Sequence, residues 1–485
     1  MTAKRNSKTR ARPALAAPLL AAGYFALAVI PLALAAVAEE PAGFWTETAS
    51  ALGMVAAVLL LLQLVSSGRF EFLSGRIGID VTMAFHKWMA RLLVVLVVAH
   101  PIFFVLPVDF ARPHSAWNHL SALFTAPGNY TGILAFALVI LLVGLGLSRD
   151  RLPLTYEAWR ASHGLMAVIA AGATLMHLLA IGTYARSEPL RTIWIVLAFA
   201  ALALALGVYT VRVWQMHRQD WAVSGKRKLA DRLWEVTLTS PSGKRLAFEA
   251  GQFVWLALAP RRFPLFDHPF SIASAPNEAG EVRFLIQEAG DFTRRLGDVP
   301  VGTPAAIDGP HGSFVLTDKP CDAVLLIAGG VGLAPVLSML NDLANRDDGR
   351  PVRLIYAARD AEAMVDLAVF ATALSKLGVT PILLLDKPPF GEGRREGPIT
   401  RDHLAEAMED LDPKSLAVMI CGPAGMMSAT CEGLTGLGVP PVNIRYERFD
   451  YRAGPSTGKD RAVIRNFRLL ALAVGVVMLA FAFRG

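Results

Sequence analysis

The sequence predicts a membrane α-helical bundle of six helices, followed by a small antiparallel β-barrel and an α/β domain with a parallel sheet, with one extra apolar segment after them. Three observations carry that reading. Hydrophobic residues make up 54% of the 485-residue chain and crowd into residues 13–215. From Trp221 to about Phe314, short runs such as Leu233–Leu238 and Phe253–Leu258 are punctuated by Pro and Gly, the mark of short strands. From Ala323 to Ile444, buried-type runs (Val324–Ala328, Val352–Tyr356, Pro381–Leu385, Leu416–Ile420) alternate with helical periodicity, which implies parallel pairing in a sheet of the nucleotide-binding kind.

Taken in order, the apolar stretches near 14–38, 45–65, 84–106, 130–147, 161–181 and 191–213 each approach the ~20 residues that cross a bilayer. Lys4, Arg5, Lys8, Arg10 and Arg12 make residues 1–12 a basic tail, and Arg69 and Arg76 follow the second stretch, so the tail belongs in the cytoplasm. Six crossings return the chain to that side and make the soluble half cytoplasmic. The start also fits a secretory signal ending at Ala36-Val37-Ala38, but its apolar run exceeds the usual ~7–15 residues and a retained helix is expected. The domains read as 13–215 in the membrane, 216–315 barrel, 316–450 α/β domain, 451–468 linker and 469–485 a last apolar helix. The run Leu469–Phe483 is short for a span, and a buried or interfacial helix is the competing reading.

The net charge of +7 lies beside apolar segments rather than in a basic stripe among aromatics, which excludes nucleic acid and points to the lipid bilayer. Cys321, Cys421 and Cys431 are too few for a four-thiolate iron–sulfur cluster and show no CxxC spacing.

Four histidines carry the strongest signal. His86 and His100 lie on the third stretch, His163 and His177 on the fifth, and each pair is fourteen residues apart. At ~100° and ~1.5 Å per residue, fourteen steps return to nearly the same face about 21 Å further along. The two helices run in the same direction, so His86 is level with His163 and His100 with His177. Two opposed imidazoles supply both axial positions of a haem iron, and two haems would stack across the bilayer. Isolated polar residues satisfied between helices are the alternative, against which the matched spacing argues. His114, His119, His217 and His403 read as non-ligands.

With Tyr156-Glu157-Ala158-Trp159-Arg160 ahead of His163, and His268-Pro269-Phe270-Ser271-Ile272-Ala273-Ser274 in the soluble half, the chain resembles the ferric reductase and NADPH oxidase superfamily over about residues 15–450. The resemblance implies FAD, two b-type haems, and NADPH or NADH as donor. It places Phe270 against the flavin ring, Ser271 near its reactive nitrogen and His268 near the ribityl or phosphate portion, with Pro269 and Ser274 in the same segment. Gly290-Asp291-Phe292-Thr293 resembles the second flavin segment, where a hydroxyl and backbone N–H groups meet the pyrophosphate. Leu326–Pro335 is a buried run ending in Gly329, Gly330 and Gly332 before a helix, so the backbone can approach a dinucleotide pyrophosphate. Cys421-Gly422-Pro423-Ala424-Gly425-Met426 resembles the nicotinamide-side motif, and Arg359 a residue that contacts the adenosine ribose or its 2′-phosphate, with Arg394 and Arg395 as helpers. Ala334 stands where relatives often carry threonine. Phe449 resembles the aromatic that covers the flavin, although this chain continues beyond it.

The expected activity is transmembrane electron transfer from cytoplasmic NAD(P)H to an acceptor outside a bacterial inner membrane, with no catalytic residue beyond the relay. Ferric chelate is the first acceptor expected, oxygen in a superoxide-forming oxidase the second, and a periplasmic partner protein a third; a haem-free anchored flavin reductase stands as a further alternative. Arg112, His114, His119 and Arg186 are the outward groups available.

Overall fold

The computed structural model describes residues 16–66, 78–106, 114–184, 186–259, 267–276, 280–316, 321–387, 389, 393–448 and 458–484. The described residues form two compact units, one up to Val211 together with those from Val463 on, the other from Arg212 to Ala462.

The first unit is helical: α1 (Ala17–Ala38), α2 (Phe44–Val65), α3 (Ile79–Val105), α4 (Ser115–Thr125), α5 (Tyr130–Leu147), α6 (Tyr156–Ile181) and α7 (Glu188–Leu206), to which part of a later helix is added. Among the described residues, seven helices are long and apolar enough to cross a membrane. The chain is an integral membrane protein. Helix α2 is its centre: 67% of its apolar window is buried, against 6–22% for the others, whose apolar sides suit lipid. Helices α3 and α6 begin five residues before their apolar stretches because polar residues start them. Asp80 and Glu157 sit in the first turns and the Thr155 hydroxyl accepts from the Ala158 N–H at 3.3 Å.

The first unit ends on a π-turn at Gly207–Val211, and the second continues with α8 (Arg212–His217) and six strands: β1 (Trp221–Ala230), β2 (Leu233–Thr239), β3 (Phe253–Leu258), β4 (His268–Ser271), β5 (Glu281–Gln287) and β6 (Pro304–His311), with the short α9 (Asp291–Arg294) between β5 and β6. The order is β4-β3-β6-β1-β2-β5, all antiparallel. An antiparallel bridge between Ile272 and Phe284, and Ala273 N–H donating to the Arg283 carbonyl at 2.7 Å, join the outer strands and close the sheet into a barrel. Val236, Leu238, Val254, Leu256, Phe284 and Ile286 fill it.

Next come β7 (Ala323–Gly329), α10 (Leu333–Asn345), β8 (Val352–Ala358), α11 (Ala371–Leu377), β9 (Ile382–Leu385), β10 (Arg394–Glu396), α12 (Arg401–Ala407), β11 (Leu416–Cys421), α13 (Ala424–Gly436) and β12 (Ile444–Glu447). The sheet is wholly parallel, in the order β10-β9-β8-β7-β11-β12. The strand order reverses between β7 and β11, and the crevice beyond their carboxyl ends is where such sheets take ligands.

The expected linker is corrected in part. Helix α14 (Gly458–Ala482) starts within it, so Arg461, Arg465 and Arg468 are helical and exposed. Arginine is a good helix former, and these three recur on one side at four- and three-residue steps. The helix is therefore 25 residues long, enough for about 37 Å, rather than a short 15-residue run. Phe467 packs on Phe85 and Trp88, with ring centres 4.8 and 6.3 Å apart, while Phe483 packs on Phe44 at 4.9 Å. Helix α14 thus follows the bundle from near the start of α3 to the start of α2.

Candidate functional site

Within the helical unit, His100 on α3 and His177 on α6 face each other with ring centres 6.4 Å apart and planes at 87°. They line a cavity of ≈ 560 Å³ bounded by α2 to α7 and otherwise mainly apolar. That volume falls in the ~300–1,000 Å³ range of cofactor sites. An imidazole binds a metal at about 2 Å from one nitrogen, so two rings on opposite sides of one metal lie roughly 6–6.5 Å apart, as these do.

His100 Nδ1 lies 2.7 Å from the Ala49 carbonyl. A carbonyl only accepts, so Nδ1 carries the proton and Nε2 keeps its lone pair, which fixes the tautomer a metal ligand needs. Glycines bring the rings this close to neighbouring helices. A Cβ on Gly53 would lie 2.7 Å from His100 Cε1, and one on Gly132 2.5 Å from His177 Nδ1. His177 Nδ1 is buried without a hydrogen-bond partner among the described residues.

The other pair is held differently. The Ser66 hydroxyl donates to Gln63 Oε1 at 2.8 Å and lies 3.2 Å from His86 Nδ1. Its single proton being committed, it accepts from His86 Nδ1–H, which again leaves Nε2 available. His163 stacks on Trp159 with centres 5.1 Å apart, and its Nδ1 has no hydrogen-bond partner among the described residues. Four half-buried imidazoles with lone pairs to spare, two of them across one cavity, fit a pair of haem irons.

In the soluble unit the two flavin segments come together: His268 stacks on Phe292 at 4.6 Å, and Phe270 lies 6.5 Å from Phe292. Pro269 is exposed beside them. Ser271 Oγ is buried with no hydrogen-bond partner among the described residues, a donor a flavin ring nitrogen would satisfy. Thr293 Oγ1 accepts from the N–H groups of Ala289 and Gly290 at 2.8 and 2.9 Å, so it shapes the turn. Ser274 is a correction. Fully buried, its hydroxyl accepts the Arg283 N–H at 3.1 Å and its carbonyl accepts the Ser338 hydroxyl at 2.6 Å, which commits it to joining barrel and α10 rather than to a ligand.

At the switch point the two glycine turns meet backbone to backbone. A Cβ on Gly332 would overlap the Cys421 carbonyl, one on Gly329 would lie 2.6 Å from Met426 Sδ and 2.9 Å from Pro423 Cδ, and Gly422 is 3.1 Å from Gly329 Cα by the same measure. Gly330 has φ +55°, which favours glycine. Pro335 and Ala334 are buried in the first turn of α10. The Cys421 thiol points into the core towards the Glu447 carbonyl at 3.6 Å, and burial pushes its pKa up, so only its backbone faces the crevice turn.

Arg359 follows β8 and is exposed, paired with Asp360 at 2.8 Å. Arg395 is held by both carboxylate oxygens of Glu406 at the surface, and Arg394 lies beside it on edge strand β10. Phe449 and Arg112 lie outside the described residues. Sequence reasoning missed Gly53, Gly132 and the Ala49 carbonyl. A glycine inside an apolar span, disfavoured by ~1 kcal/mol relative to alanine in a helix, was the available signal.

Fold and site together define a flavin- and nicotinamide-dependent oxidoreductase assembled on a membrane bundle. Residues 52–174 match the family described as ferric reductase like transmembrane component, 227–320 the FAD-binding domain and 326–432 the oxidoreductase NAD-binding domain. These three in this order match the domain set of the ferric reductase and NADPH oxidase superfamily.

The chain is also similar to the propane 2-monooxygenase reductase component of Mycolicibacterium goodii, 31% identical over 189 residues, covering 37% of this chain and 53% of the relative. With the toluate 1,2-dioxygenase electron transfer component of Pseudomonas putida it shares 29% over 245 residues, covering 47% and 66%. The chain thus spans between half and two thirds of the length of these relatives. Among solved structures, the flavohem-like FAD/NAD binding domain of nitric oxide dioxygenase from Vibrio cholerae O1 biovar El Tor aligns with TM-score 0.42 and 23% identity, covering 48% of this chain and 98% of that one.

Proposed function

We propose that this protein oxidises cytoplasmic NAD(P)H and passes the electrons through FAD and two b-type haems to an acceptor on the outer face of a bacterial inner membrane, with ferric chelate as the acceptor. The observation that carries the reading is the His100–His177 pair, 6.4 Å apart across its cavity and with one tautomer fixed. Bound flavin supplies the change from a two-electron hydride to single electrons, and the haems supply one-electron carriers through a layer that charge crosses only at great cost.

The chain's residues hold and orient these groups. His100 and His177 bind one iron and His86 and His163 the other, on the common face that a fourteen-residue spacing gives each helix. Phe270 lies along the flavin and Ser271 donates to it. Gly329, Gly330, Gly332 and Gly422 leave room for the dinucleotide, Pro423 and Met426 border the nicotinamide, and Arg359 exchanges Asp360 for a 2′-phosphate, which favours NADPH. The basic residues Lys4 to Arg12 fit a cytoplasmic start.

A partner protein is the second reading, favoured because the similar proteins named above are reductase or electron transfer components of larger systems. It predicts slow turnover with free ferric chelate and acceleration by the partner.

The test is the absorption spectrum of the purified protein before and after NADPH under strict anaerobiosis, with His100→Ala and His177→Ala alongside. Reduction of a low-spin haem spectrum, with about half the haem lost in each variant, is the expected result. Protein without haem leaves an anchored flavin reductase in its place.

A further inference from the structure

Glu47, in the first turn of α2, is completely buried. Its Oε1 accepts the Ala42 N–H at 3.0 Å and the Tyr184 hydroxyl at 2.5 Å, and its Oε2 accepts from Arg484 Nε at 3.0 Å. Arg484, just beyond α14, also donates through Nη1 to the Ala35 carbonyl at 3.2 Å and through Nη2 to the Tyr184 hydroxyl at 2.5 Å. One guanidinium therefore ties the end of α1, the start of α2, the loop after α6 and the end of α14. A buried carboxylate holds its place only with such a countercharge, since removing one partner of a buried pair leaves the other uncompensated.

The same turns of α2 serve the His100–His177 cavity. Two residues beyond Glu47, Ala49 supplies the carbonyl that fixes His100, and Gly53 makes room for its ring. Between them, the Ser50 hydroxyl donates to Thr183 Oγ1 at 2.9 Å, next to Tyr184 and close beyond the helix that bears His177. Ser50, Gly53, Thr183 and Tyr184 all line the cavity.

We propose that Arg484 is a positioning residue for the His100–His177 level. By neutralising Glu47 it holds the start of α2 and the 183–184 loop in the register that presents His100 and His177 to one metal. This rests on the haem reading above, and it makes α14 part of the redox site rather than a bystander.

The test compares wild type, Arg484→Gln, Arg484→Lys and Glu47→Gln/Arg484→Gln in the full chain, by haem-to-protein ratio and by potentiometric titration of the haem spectrum. Arg484→Gln is expected to lower bound haem from about two per chain towards one, with the remaining haem at a wild-type midpoint. Arg484→Lys, which keeps the charge, and the double variant, which removes the stranded carboxylate, are expected to retain more haem than Arg484→Gln. Two unaltered haem steps in Arg484→Gln, equal loss of both haems, or a double variant no better than the single one would each overturn the assignment. A wild-type protein without haem would overturn the haem reading itself.

Discussion

At the residue scale, spacing in the sequence was enough to select four histidines, two glycine turns and a flavin segment, because each demand repeats at an interval the chain displays. It was not enough to separate side chains that face a ligand from side chains that hold the turn. Within one motif, Gly422 abuts the Gly329 backbone whereas Gly425 has nothing within 4 Å of an added Cβ. Of the two turns' glycines, Gly332 makes the closest approach, its missing Cβ lying against the Cys421 carbonyl. Gly332→Ala is expected to destabilise by ~1–3 kcal/mol, as overpacking does, and to weaken NAD(P)H binding because the turns must part. Gly425→Ala, in exposed helix, is expected to be neutral or to stabilise by up to ~1 kcal/mol. Thermal unfolding with and without nucleotide checks both, at roughly 2–4 °C per kcal/mol for a unit of this size; equal behaviour of the two variants would refute the close-approach argument. The Ser274 hydroxyl is tied to the Arg283 N–H of strand β5, and Thr293 accepts from the N–H groups of its own turn, pairings that no spacing rule reveals.

At the element scale, long apolar stretches and buried parallel strands were legible because burial on all sides leaves a continuous apolar run. Helix α4 was missed, since its 11 residues are too few for a span and carry His119, Asn118 and two serines in what reads as a loop. The start of α14 was missed because its arginines read as a linker. The joint between barrel and nucleotide sheet was also illegible, for besides a shared apolar core it includes a hydrogen bond between fully buried groups 64 residues apart, Ser338 to Ser274. Ser338→Ala leaves the Ser274 carbonyl without that donor and is expected to cost ~1–3 kcal/mol. Denaturant unfolding should show a lower midpoint with an unchanged slope. A loss below ~0.5 kcal/mol would mean that the apolar core shared by barrel and sheet, not this bond, holds the two together.

At the scale of the whole molecule, the direction of electron flow depends on which side of the membrane each loop occupies. The loop between α5 and α6 carries Arg149 and Arg151, the chain between α2 and α3 carries Arg69 and Arg76, and α14 begins near Arg461, Arg465 and Arg468. The loop between α1 and α2 has Glu39 and Glu40 and no Lys or Arg. On the proposed topology, retention of basic residues on the cytoplasmic side would place the first three sites inside and the α1–α2 loop outside. It also puts Arg484 on the same side as Glu47, which their ion pair requires. In a Cys321→Ala background, where the remaining Cys421 and Cys431 are buried, Glu40→Cys should react with an impermeant thiol reagent in intact cells. Arg151→Cys and Glu409→Cys should react only after permeabilisation. Labelling of Glu409→Cys from outside would put the nucleotide domain where cytoplasmic NAD(P)H cannot reach it, and the inward-to-outward route would fail whatever the spectrum of the purified protein.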